Sequence, residues 1–277
     1  MEKHYAVIGH PIEHSLSPKM HKAGYEALGI VAEYHRFNVE PSHLPGAVEG
    51  LCALGFSGWN VTIPHKEHII SLLDTLTPQA KRAGAVNTVK IQEGQRIGHN
   101  TDGDGFVRSV EGELNGFKGK KAVLLGAGGA SKGIALALAE QGMKVHILNR
   151  KPERAEALVQ VIQREGGTAT AGVLAPGSWL EDVDLLVQTT SVGLHGEAFP
   201  FSVQGISDRA LVVDIIFNPS ETAFLHEAKQ LGCRTLNGLD MLLYQGAYAW
   251  EFWLGGQAPV EAMRQALKDE LLQQMFK

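Results

Sequence analysis

With 277 residues, 44% of them hydrophobic and 20% charged, the chain has the composition of a soluble globular protein and enough length for two domains. A formal net charge of −5 argues against general nucleic-acid binding. No apolar run is long enough to span a membrane, and the amino-terminal MEKHYAVIGHPIEHS lacks the apolar core of a signal peptide. The isolated Cys52 and Cys233 are expected to be buried free thiols. We therefore expect a cytoplasmic protein with neither a nucleic-acid nor a membrane partner.

The first half of the chain alternates short apolar runs with helical patterns, which is typical of βαβ units and a mostly parallel sheet. The predicted strands are YAVIGH, EYHRFNV, the run that ends in GWNV, and AVNTVKI. The predicted helices are SPKMHKAGYEALG, PSHLPGAVEGLCALG, PHKEHIISLLD and the short TPQAKRAG. Ser17 before Pro18 is of the type that caps a helix.

The stretch GWNVTIPHKE raises the question of what a lysine does near a helix start. Asn60 and Thr62 share one face of a strand, and Pro64 suits the first turn of the following helix. Lys66 would then lie near the positive end of a helix dipole, where a cation is mildly disfavoured. Two interpretations are open. The amide of Asn60, the hydroxyl of Thr62 and the ammonium group of Lys66 converge at one strand end, or Lys66 is an ordinary solvated lysine.

A second α/β unit begins near Asp104, and its predicted strands are KAVLLG, KVHILNR, VDLLVQTT, LVVDIIF and RTLNG. Its helices are ASKGIALALAEQG, KPERAEALVQVIQREG and PSETAFLHEAKQLG. From Leu239 the pattern turns helical, with LDMLLYQGAYAWEFWLG followed by PVEAMRQALKDELLQQM. Two helices without a further strand do not continue a parallel sheet, so we expect them to return to the first domain. The predicted division is 1–103, 104–238 and 239–277.

A glycine-rich turn follows the first strand of the second unit, in KAVLLGAGGASKG. Gly126 permits a tight turn, and Gly128 and Gly129 let backbone N–H groups approach a pyrophosphate at the helix start. Ser131 replaces the third glycine of the usual fingerprint. Strand, turn and helix come in the required order, so the sequence predicts a Rossmann-type dinucleotide site.

The end of the next strand, HILNRKPER, indicates which dinucleotide binds. An acidic residue there would hold the ribose 2′-hydroxyl of NAD, but the chain instead has Asn149, Arg150, Lys151 and Arg154. These donors and positive charges suit the 2′-phosphate of NADP. The alternative is a group of solvated cations, although cations are disfavoured at a helix start.

Several polar residues of the first domain and the returning helix lie at strand ends or interrupt apolar runs. They are Ser15, Ser17, Asn87, Asp102 and Gln245. Each alone is more readily explained as structural, as in capping by Ser17 or a turn at Asp102. Together with Asn60, Thr62 and Lys66 they form a donor and acceptor set suited to a small polyhydroxylated acid.

The twelve histidines include the pairs His10 with His14 and His65 with His68. Neither pair has an acidic or thiol partner at ligand spacing, so we expect no metal site.

The motifs HPIEHSLSP, NVTIPHK, GAVNT, NTDGDG, GAGGA, NR and YQGA occur in this order along nearly the full chain. Their combination and spacing resemble those of the shikimate dehydrogenase family. That family reduces 3-dehydroshikimate to shikimate with NADPH in aromatic amino-acid biosynthesis. The resemblance implies that the substrate ligands are Ser15, Ser17, Asn60, Thr62, Lys66, Asn87, Asp102 and Gln245. It implies that Lys66, assisted by Asp102, is the acid–base group. On the cofactor side it implies Gly126, Ala127, Gly128, Gly129, Ala130, Asn149, Arg150, Arg154, Ile215, Gly238 and Met241.

The chain departs from the family pattern at three positions. Lys22 follows His21 where the family usually has asparagine, and Lys151 replaces a threonine of the cofactor loop. Phe217 stands where the family has a substrate-binding tyrosine, so this position of the substrate pocket lacks a hydroxyl.

Alternatives remain open at this point. One is a sister enzyme that acts on quinate as well as shikimate, with NAD, although Arg150 argues against NAD. Another acts on an aminated analogue of shikimate. A third is a catalytically silent NADP(H)-binding regulator, which would be expected to lack Lys66 or Asp102. Monomer and homodimer are equally open.

Overall fold

The structure, a computed structural model, describes residues 3–275. It divides the chain into unit 1, Met1–Gly105 with Leu242–Lys277, and unit 2, Phe106–Met241. In the described part of the chain, no helix combines the length and the apolar character needed to cross a membrane.

Unit 1 is built on a six-stranded sheet. Its strands are β1 (Lys3–Gly9), β2 (Ala32–Asn38), β3 (Gly58–Val61), β4 (Thr75–Leu76), β5 (Thr88–Gln92) and β6 (Gln95–His99). Their order across the sheet is β2-β1-β3-β5-β6-β4. The pairings of β1 with β2, β1 with β3 and β4 with β6 are parallel, and those of β5 with β3 and β6 are antiparallel.

The first four helices are α1 (Ser17–Ala27), α2 (Leu44–Ala53), α3 (Pro78–Ala83) and α4 (Asp102–Val110). Strand β1 shows how the sheet of unit 1 is covered, because its alternate side chains point to opposite faces. Ala6 and Ile8 pack into a core with residues of α2, such as Val48. Tyr5 and Val7 face a second, aromatic core that α1 covers.

Unit 2 contains a six-stranded sheet with order β12-β11-β10-β7-β8-β9, and every pairing in it is parallel. The strands are β7 (Lys121–Leu125), β8 (Lys144–Asn149), β9 (Thr168–Val173), β10 (Leu185–Gln188), β11 (Leu211–Asp214) and β12 (Arg234–Leu236). The helices are α5 (Gly129–Glu140), α6 (Pro152–Arg164) and α7 (Ala223–Gln230). This is the doubly wound order of a Rossmann fold, which confirms the predicted fold class.

The remaining helices are α8 (Leu239–Leu254) and α9 (Val260–Met275). Trp250 and Trp253 of α8 belong to the aromatic core of unit 1, where the Trp250 ring lies 4.9 Å from the Tyr25 ring. The indole N–H of Trp253 donates to the carbonyl oxygen of Val89 at 2.8 Å. The predicted return of the last helices to the first domain is therefore confirmed.

Several local predictions are wrong. PHKEHIISLLD is not an α-helix: residues 64–67 form turns and only His68–Leu72 is helical, as a 3₁₀ segment. The physical reason is that this short segment buries Ile69 against the sheet core instead of presenting a long amphipathic face. Lys66 thus lies in a turn, and the helix-dipole argument does not apply to it.

Other differences concern helix starts and strands. Ser17 is the first residue of α1, after Leu16 at the N-cap, and the helix start has no side-chain capping bond. Asp102 begins α4 instead of lying in a bare turn, and Asn87 precedes β5 instead of interrupting it. Strands β4, β6 and β9 are not predicted by the sequence pattern. Cys52 is exposed, because the buried face of α2 carries Val48 and Leu51.

Candidate active site

The centre of the candidate site in unit 1 is an ion pair. The Nζ of Lys66 donates to Oδ2 of Asp102 at 2.6 Å, and the two side chains are 15% and 3% exposed. The carbonyl oxygen of Lys66 accepts the N–H of Val86 at 2.8 Å, which fixes the turn that carries the lysine. Asp102 lies at the start of α4, where the helix dipole favours a negative charge. The ion pair therefore fixes the position of the Lys66 Nζ, and two of its three N–H donors lie outside this bond.

Asn87 ties the ion pair to its surroundings. Its Nδ2 donates to Oδ1 of Asp102 and to Oγ1 of Thr101, both at 2.9 Å. The same atom lies 3.4 Å from Oε1 of Gln245 on α8. Its Oδ1 accepts the backbone N–H of Thr101 at 2.9 Å. Asn87 is buried, so this network sets the orientation of the Asp102 carboxylate.

Asn60 joins the same network from the end of β3. Its Nδ2 donates to the carbonyl oxygen of Asn87 and to Oγ1 of Thr88, both at 3.1 Å. Its Oδ1 accepts the hydroxyl of Tyr34 at 2.7 Å. Tyr34 is missed by the sequence analysis, because an aromatic residue in a strand is indistinguishable from an ordinary core residue.

The serine turn precedes α1. Ser15 is half-buried and Ser17 is buried, and the Ser15 Oγ accepts the Ser17 N–H at 3.4 Å. The Nη1 of Arg36 donates to the carbonyl oxygens of Glu13 and Ser15. The sequence analysis does not single out Arg36, which brings a cation to this turn.

Thr62 follows β3, and its N–H donates to the carbonyl oxygen of Ile8 at 3.0 Å. The structure therefore brings Lys66, Asp102, Asn87, Asn60 and Gln245 into one hydrogen-bonded network. Within residues 3–275, the side chains of Thr62 and Ser15 make no hydrogen bond to that network, and both residues lie on adjoining segments of unit 1. Groups of three or more His, Cys, Asp or Glu side chains placed to hold a metal ion do not occur among residues 3–275.

In unit 2 the glycine turn lies between β7 and α5. Gly126 has φ +116°, and a Cβ there would lie 2.7 Å from Oγ1 of Thr189. Gly128 is the N-cap of α5, and a Cβ there would meet nothing within 4 Å. Ser131, which replaces the third glycine, donates its hydroxyl to the carbonyl oxygen of Gly126 at 2.7 Å. The turn thus leaves open space at a helix N-terminus, which fits the pyrophosphate of a dinucleotide.

The end of β8 carries the residues predicted to select NADP. Asn149 is the last residue of β8, and its Nδ2 donates to the carbonyl oxygen of Lys151 at 2.9 Å. Lys151 is the N-cap of α6, and Arg150 and Arg154 are exposed around it. The positive charges lie where a 2′-phosphate is expected in a Rossmann fold.

The loop after β11 carries Ile215 and Phe217, and it packs tightly on Gly238. A Cβ on Gly238 would lie 1.9 Å from the carbonyl oxygen of Ile215, so only glycine fits. The N–H of Gly238 donates to the carbonyl oxygen of Ile216 at 3.0 Å. Phe217 is half-buried, and Met241 is buried in α8.

Asp214, at the end of β11, is a further residue that sequence reasoning misses. Its Oδ1 accepts the N–H of Ile216 at 3.0 Å, and its Oδ2 accepts the hydroxyl of Thr222 at 2.7 Å. Burial raises the pKa of this carboxyl group to about 6. Asp214 therefore anchors the loop that carries Ile215 and Phe217.

A Rossmann unit with a glycine turn, together with a second α/β unit that holds a lysine–carboxylate pair, defines a nicotinamide-dependent oxidoreductase. Family models match three parts of the chain. Residues 7–89 match the shikimate dehydrogenase substrate-binding domain, 108–194 match shikimate/quinate 5-dehydrogenase, and 238–268 match the shikimate 5'-dehydrogenase C-terminal domain.

Individual proteins agree with the family models. The chain is 59% identical to the shikimate dehydrogenase (NADP(+)) of Desulfitobacterium hafniense, over 98% of this chain and 99% of that protein. A shikimate dehydrogenase crystallised in complex with NADP+ is 38% identical, with a TM-score of 0.89 over 97% and 96% of the two chains. The Thermus thermophilus enzyme in complex with NADP(H) and shikimate is 38% identical, with a TM-score of 0.86 over 96% and 99%.

The fold is also that of an enzyme named for another substrate. Quinate dehydrogenase from Corynebacterium glutamicum, in complex with NAD, is 31% identical with a TM-score of 0.86, over 97% of this chain and all of the other (100%). The chain belongs to the shikimate dehydrogenase family.

Proposed function

We propose that this chain is an NADP-dependent shikimate dehydrogenase, which reversibly reduces 3-dehydroshikimate to shikimate in aromatic amino-acid biosynthesis. The observation that carries the proposal is the Lys66–Asp102 pair, 2.6 Å apart and tied to Asn87. A silent regulator would have no need of this pair. The similarity to shikimate dehydrogenase (NADP(+)) over 98% of the chain supports the same conclusion.

Residues 1–103 form the substrate domain in this proposal, 104–238 the NADP domain, and 239–277 the returning helices. The match of 7–89 to a substrate-binding domain and the glycine turn of unit 2 support this assignment. In this proposal the protein binds a small-molecule substrate and has neither a nucleic-acid nor a membrane partner. We place the protein in the cytoplasm, as a monomer or a homodimer.

The donors and acceptors of unit 1 suit the two ends of shikimate. The hydroxyls of Ser15 and Ser17 bind its carboxylate, with the positive charge of Arg36 nearby. Lys66 and Asp102 bind at the reacting carbon. The remaining ligands of the ring hydroxyls are Asn60, Thr62, Asn87 and Gln245. Phe217 stays a predicted substrate-binding residue on the strength of the family pattern.

Lys66 is the proton donor. Reduction of the C3 carbonyl adds a hydride to carbon and leaves a negative charge on oxygen, which takes a proton from the Lys66 ammonium group to give the hydroxyl. In the oxidation direction neutral Lys66 takes the proton back. Asp102 accepts a hydrogen bond from Lys66 and keeps the Nζ in position, and the buried Asn87 keeps Asp102 from rotating.

The residues of unit 2 fit NADP. When bound, this cofactor supplies or accepts the hydride. The turn Gly126, Ala127, Gly128, Gly129 and Ala130 binds the pyrophosphate through backbone N–H groups. Asn149, Arg150, Lys151 and Arg154 bind the adenosine 2′-phosphate. Ile215, Gly238 and Met241 bind the nicotinamide end.

The test is an assay of the purified chain for NADP-dependent oxidation of shikimate, quinate and an aminated shikimate analogue, each repeated with NAD. We expect the highest kcat/KM with shikimate and NADP. A higher kcat/KM with quinate and NAD would replace the proposal with the second candidate, which the similarity to quinate dehydrogenase favours. No turnover with any substrate would favour a silent NADP(H)-binding protein.

A further inference from the structure

The hydroxyl of Tyr34 connects two residues that the proposed function assigns to opposite ends of the substrate. It donates to Oδ1 of Asn60 at 2.7 Å. The Ser17 hydroxyl lies close enough to lower the pKa of Tyr34, against the larger effect of burial. Tyr34 is only 7% exposed and lies on β2, so it contacts Asn60 from the interior of unit 1 and not from solvent.

The ring of Tyr34 is fixed by stacking. It lies parallel to the imidazole of His21, with a centroid distance of 4.4 Å and an angle of 4° between the planes. The Trp253 ring packs at 6.3 Å. Burial lowers the pKa of His21 to about 3, so this neighbour is neutral and the stack carries no charge. Packing therefore restrains the ring of Tyr34 in addition to the hydrogen bond that its hydroxyl makes.

The protonation state of Tyr34 makes it a constant donor. Burial raises its pKa well above the ordinary value for tyrosine, and the Ser17 hydroxyl opposes this only in part. The single O–H of Tyr34 is directed to Asn60. Because this hydrogen goes to Asn60, a rotation of the Ser17 hydroxyl toward a ligand does not remove the bond.

The bond from Tyr34 determines what Asn60 can offer to a ligand. Both N–H groups of the Asn60 amide are directed inward, to Asn87 and Thr88. Tyr34 takes one lone pair of Oδ1, which leaves the other as an acceptor. Within the described part of the chain, Tyr34 is the only hydrogen-bond donor to this amide oxygen, so its loss leaves the oxygen without a protein partner.

We propose that Tyr34 is a positioning residue of the substrate site: its hydroxyl fixes the Asn60 amide as an acceptor for a substrate hydroxyl and keeps it in register with Ser17. This inference rests on the proposed function, since it assumes that Asn60 and Ser17 bind shikimate.

The test compares Tyr34→Phe with Tyr25→Phe. Tyr25 belongs to the same aromatic core, but its buried hydroxyl has no hydrogen-bond partner. Both variants thus lose one buried hydroxyl, and only Tyr34→Phe loses a bond to site residues. We expect Tyr34→Phe to raise the KM for shikimate about five- to twentyfold, the effect of one hydrogen bond to a positioned group. The KM for NADP should change in neither variant, and Tyr25→Phe should leave the KM for shikimate unchanged.

A double-mutant cycle separates positioning from general stability. If Tyr34 acts through Asn60, Tyr34→Phe should add nothing to the KM of an Asn60→Ala enzyme. The same cycle with Ser17→Ala tests coupling between Tyr34 and the Ser17 hydroxyl. It also replaces the first cycle if Asn60→Ala does not fold. Equal KM values for the two tyrosine variants, or an undiminished effect of Tyr34→Phe in both cycles, would overturn the proposal. Loss of cooperative unfolding in Tyr34→Phe would also overturn it. A wild-type chain with no shikimate turnover would instead overturn the proposed function, and this inference with it.

Discussion

Lys66 and Asp102 are 36 positions apart in the sequence, yet their charged atoms lie 2.6 Å from each other. The turn after β3 carries the lysine and the first residue of α4 carries the carboxylate. Because Asn87 occupies the other carboxylate oxygen at 2.9 Å, Asp102 has one orientation in which to receive the ammonium group. The pair is therefore held from both sides before any substrate arrives.

If Lys66 is the proton donor, Lys66→Ala should lower kcat by ~10²–10⁴, the usual contribution of general acid–base catalysis. NADP affinity should hardly change, because the glycine turn and Arg150 belong to unit 2. Asp102→Asn should be similarly slow, and the double variant little slower than either, since groups that act as a unit are not additive. Steady-state kinetics measure this. Lys22→Ala, which alters an exposed lysine of unit 1, is the control. A Lys66→Ala enzyme with more than about a tenth of the wild-type kcat would remove Lys66 from the mechanism.

Arg150→Ala should raise the KM for NADP far more than that for NAD, if Arg150 pairs with the 2′-phosphate as we propose. A charge-assisted contact of this kind contributes ~1.5–3 kcal/mol. Arg164→Ala, at the far end of α6, is a matched control that should affect neither cofactor. An equal loss with both cofactors would mean that Arg150 does not recognise the phosphate.

Phe217→Tyr should tighten shikimate binding by about one neutral hydrogen bond, ~0.5–1.5 kcal/mol, because it restores the hydroxyl of the family pattern. Phe217 is half-buried in the loop after β11. Calorimetric titration with shikimate measures the change. Weaker binding by the tyrosine variant would show that the pocket has adapted to the phenyl ring.

Gly128→Ala and Gly126→Ala should fail in different ways. A Cβ at Gly128 meets open space, so the variant should fold normally and lose NADP affinity as the methyl group enters the pyrophosphate position. A Cβ at Gly126 lies 2.7 Å from Thr189 Oγ1 at φ +116°, so that variant should lose folding stability. Thermal unfolding and NADP titration of both variants distinguish these outcomes. A stable Gly126→Ala, or a Gly128→Ala with normal NADP affinity, would contradict the description of the turn.

Asp214→Asn should change how stability depends on pH. The folded protein raises the pKa of Asp214 from 3.8 to about 6, so it binds this proton more tightly than the unfolded chain does. The resulting stabilisation is present below about pH 4 and is lost as the pH rises through about 6. Asparagine cannot ionise, so the variant does not lose this stabilisation. Its free energy of unfolding, relative to that of wild type, should therefore rise by up to about 3 kcal/mol between about pH 4 and about pH 6.

Urea unfolding of both chains at several pH values checks the Asp214 prediction. Burial lowers the pKa of His21 to about 3 and that of His99 to about 4, which makes stability fall as the pH falls. Both histidines are common to the two chains, so the difference between the chains isolates Asp214. Parallel stability curves would exclude a raised pKa at this position.

The architecture could be predicted because its signals are local. Few arrangements are compatible with a buried run such as KAVLLG, with the glycine turn, or with two final helices that no strand follows. The turn at Lys66 could not be predicted, because HIISLL has an apolar pattern equally suited to a helix, and burial of Ile69 in the sheet core decided the outcome. Strand β4 is short and is defined by its pairing with β6, and β6 in turn pairs along its whole length with β5.

The polar residues of the candidate site could be selected from the sequence, but their connections could not. Nothing in the sequence indicates that Asn87 contacts Asp102 and Gln245, which lies 158 positions away. Tyr34 is missed for the same reason, since its partner Asn60 is 26 positions away. Asp214 is missed because its bonds to Ile216 and Thr222 depend on the folded path of the loop after β11. Long-range hydrogen bonds of this kind become visible only once the sheet brings their strands together.

The return of α8 to unit 1 has a consequence for synthesis on the ribosome. All of unit 2 is translated before Trp250 and Trp253, which complete the aromatic core of unit 1. The nascent chain therefore carries the apolar rings of Tyr5, Tyr25 and Tyr34 uncovered on one sheet face while more than a hundred further residues emerge. Once Met241 has been translated, the Rossmann unit has its complete sequence, whereas the earlier unit still lacks Trp250, Trp253 and all of α9. The part of the molecule that is made first is thus the last to receive all the residues of its core.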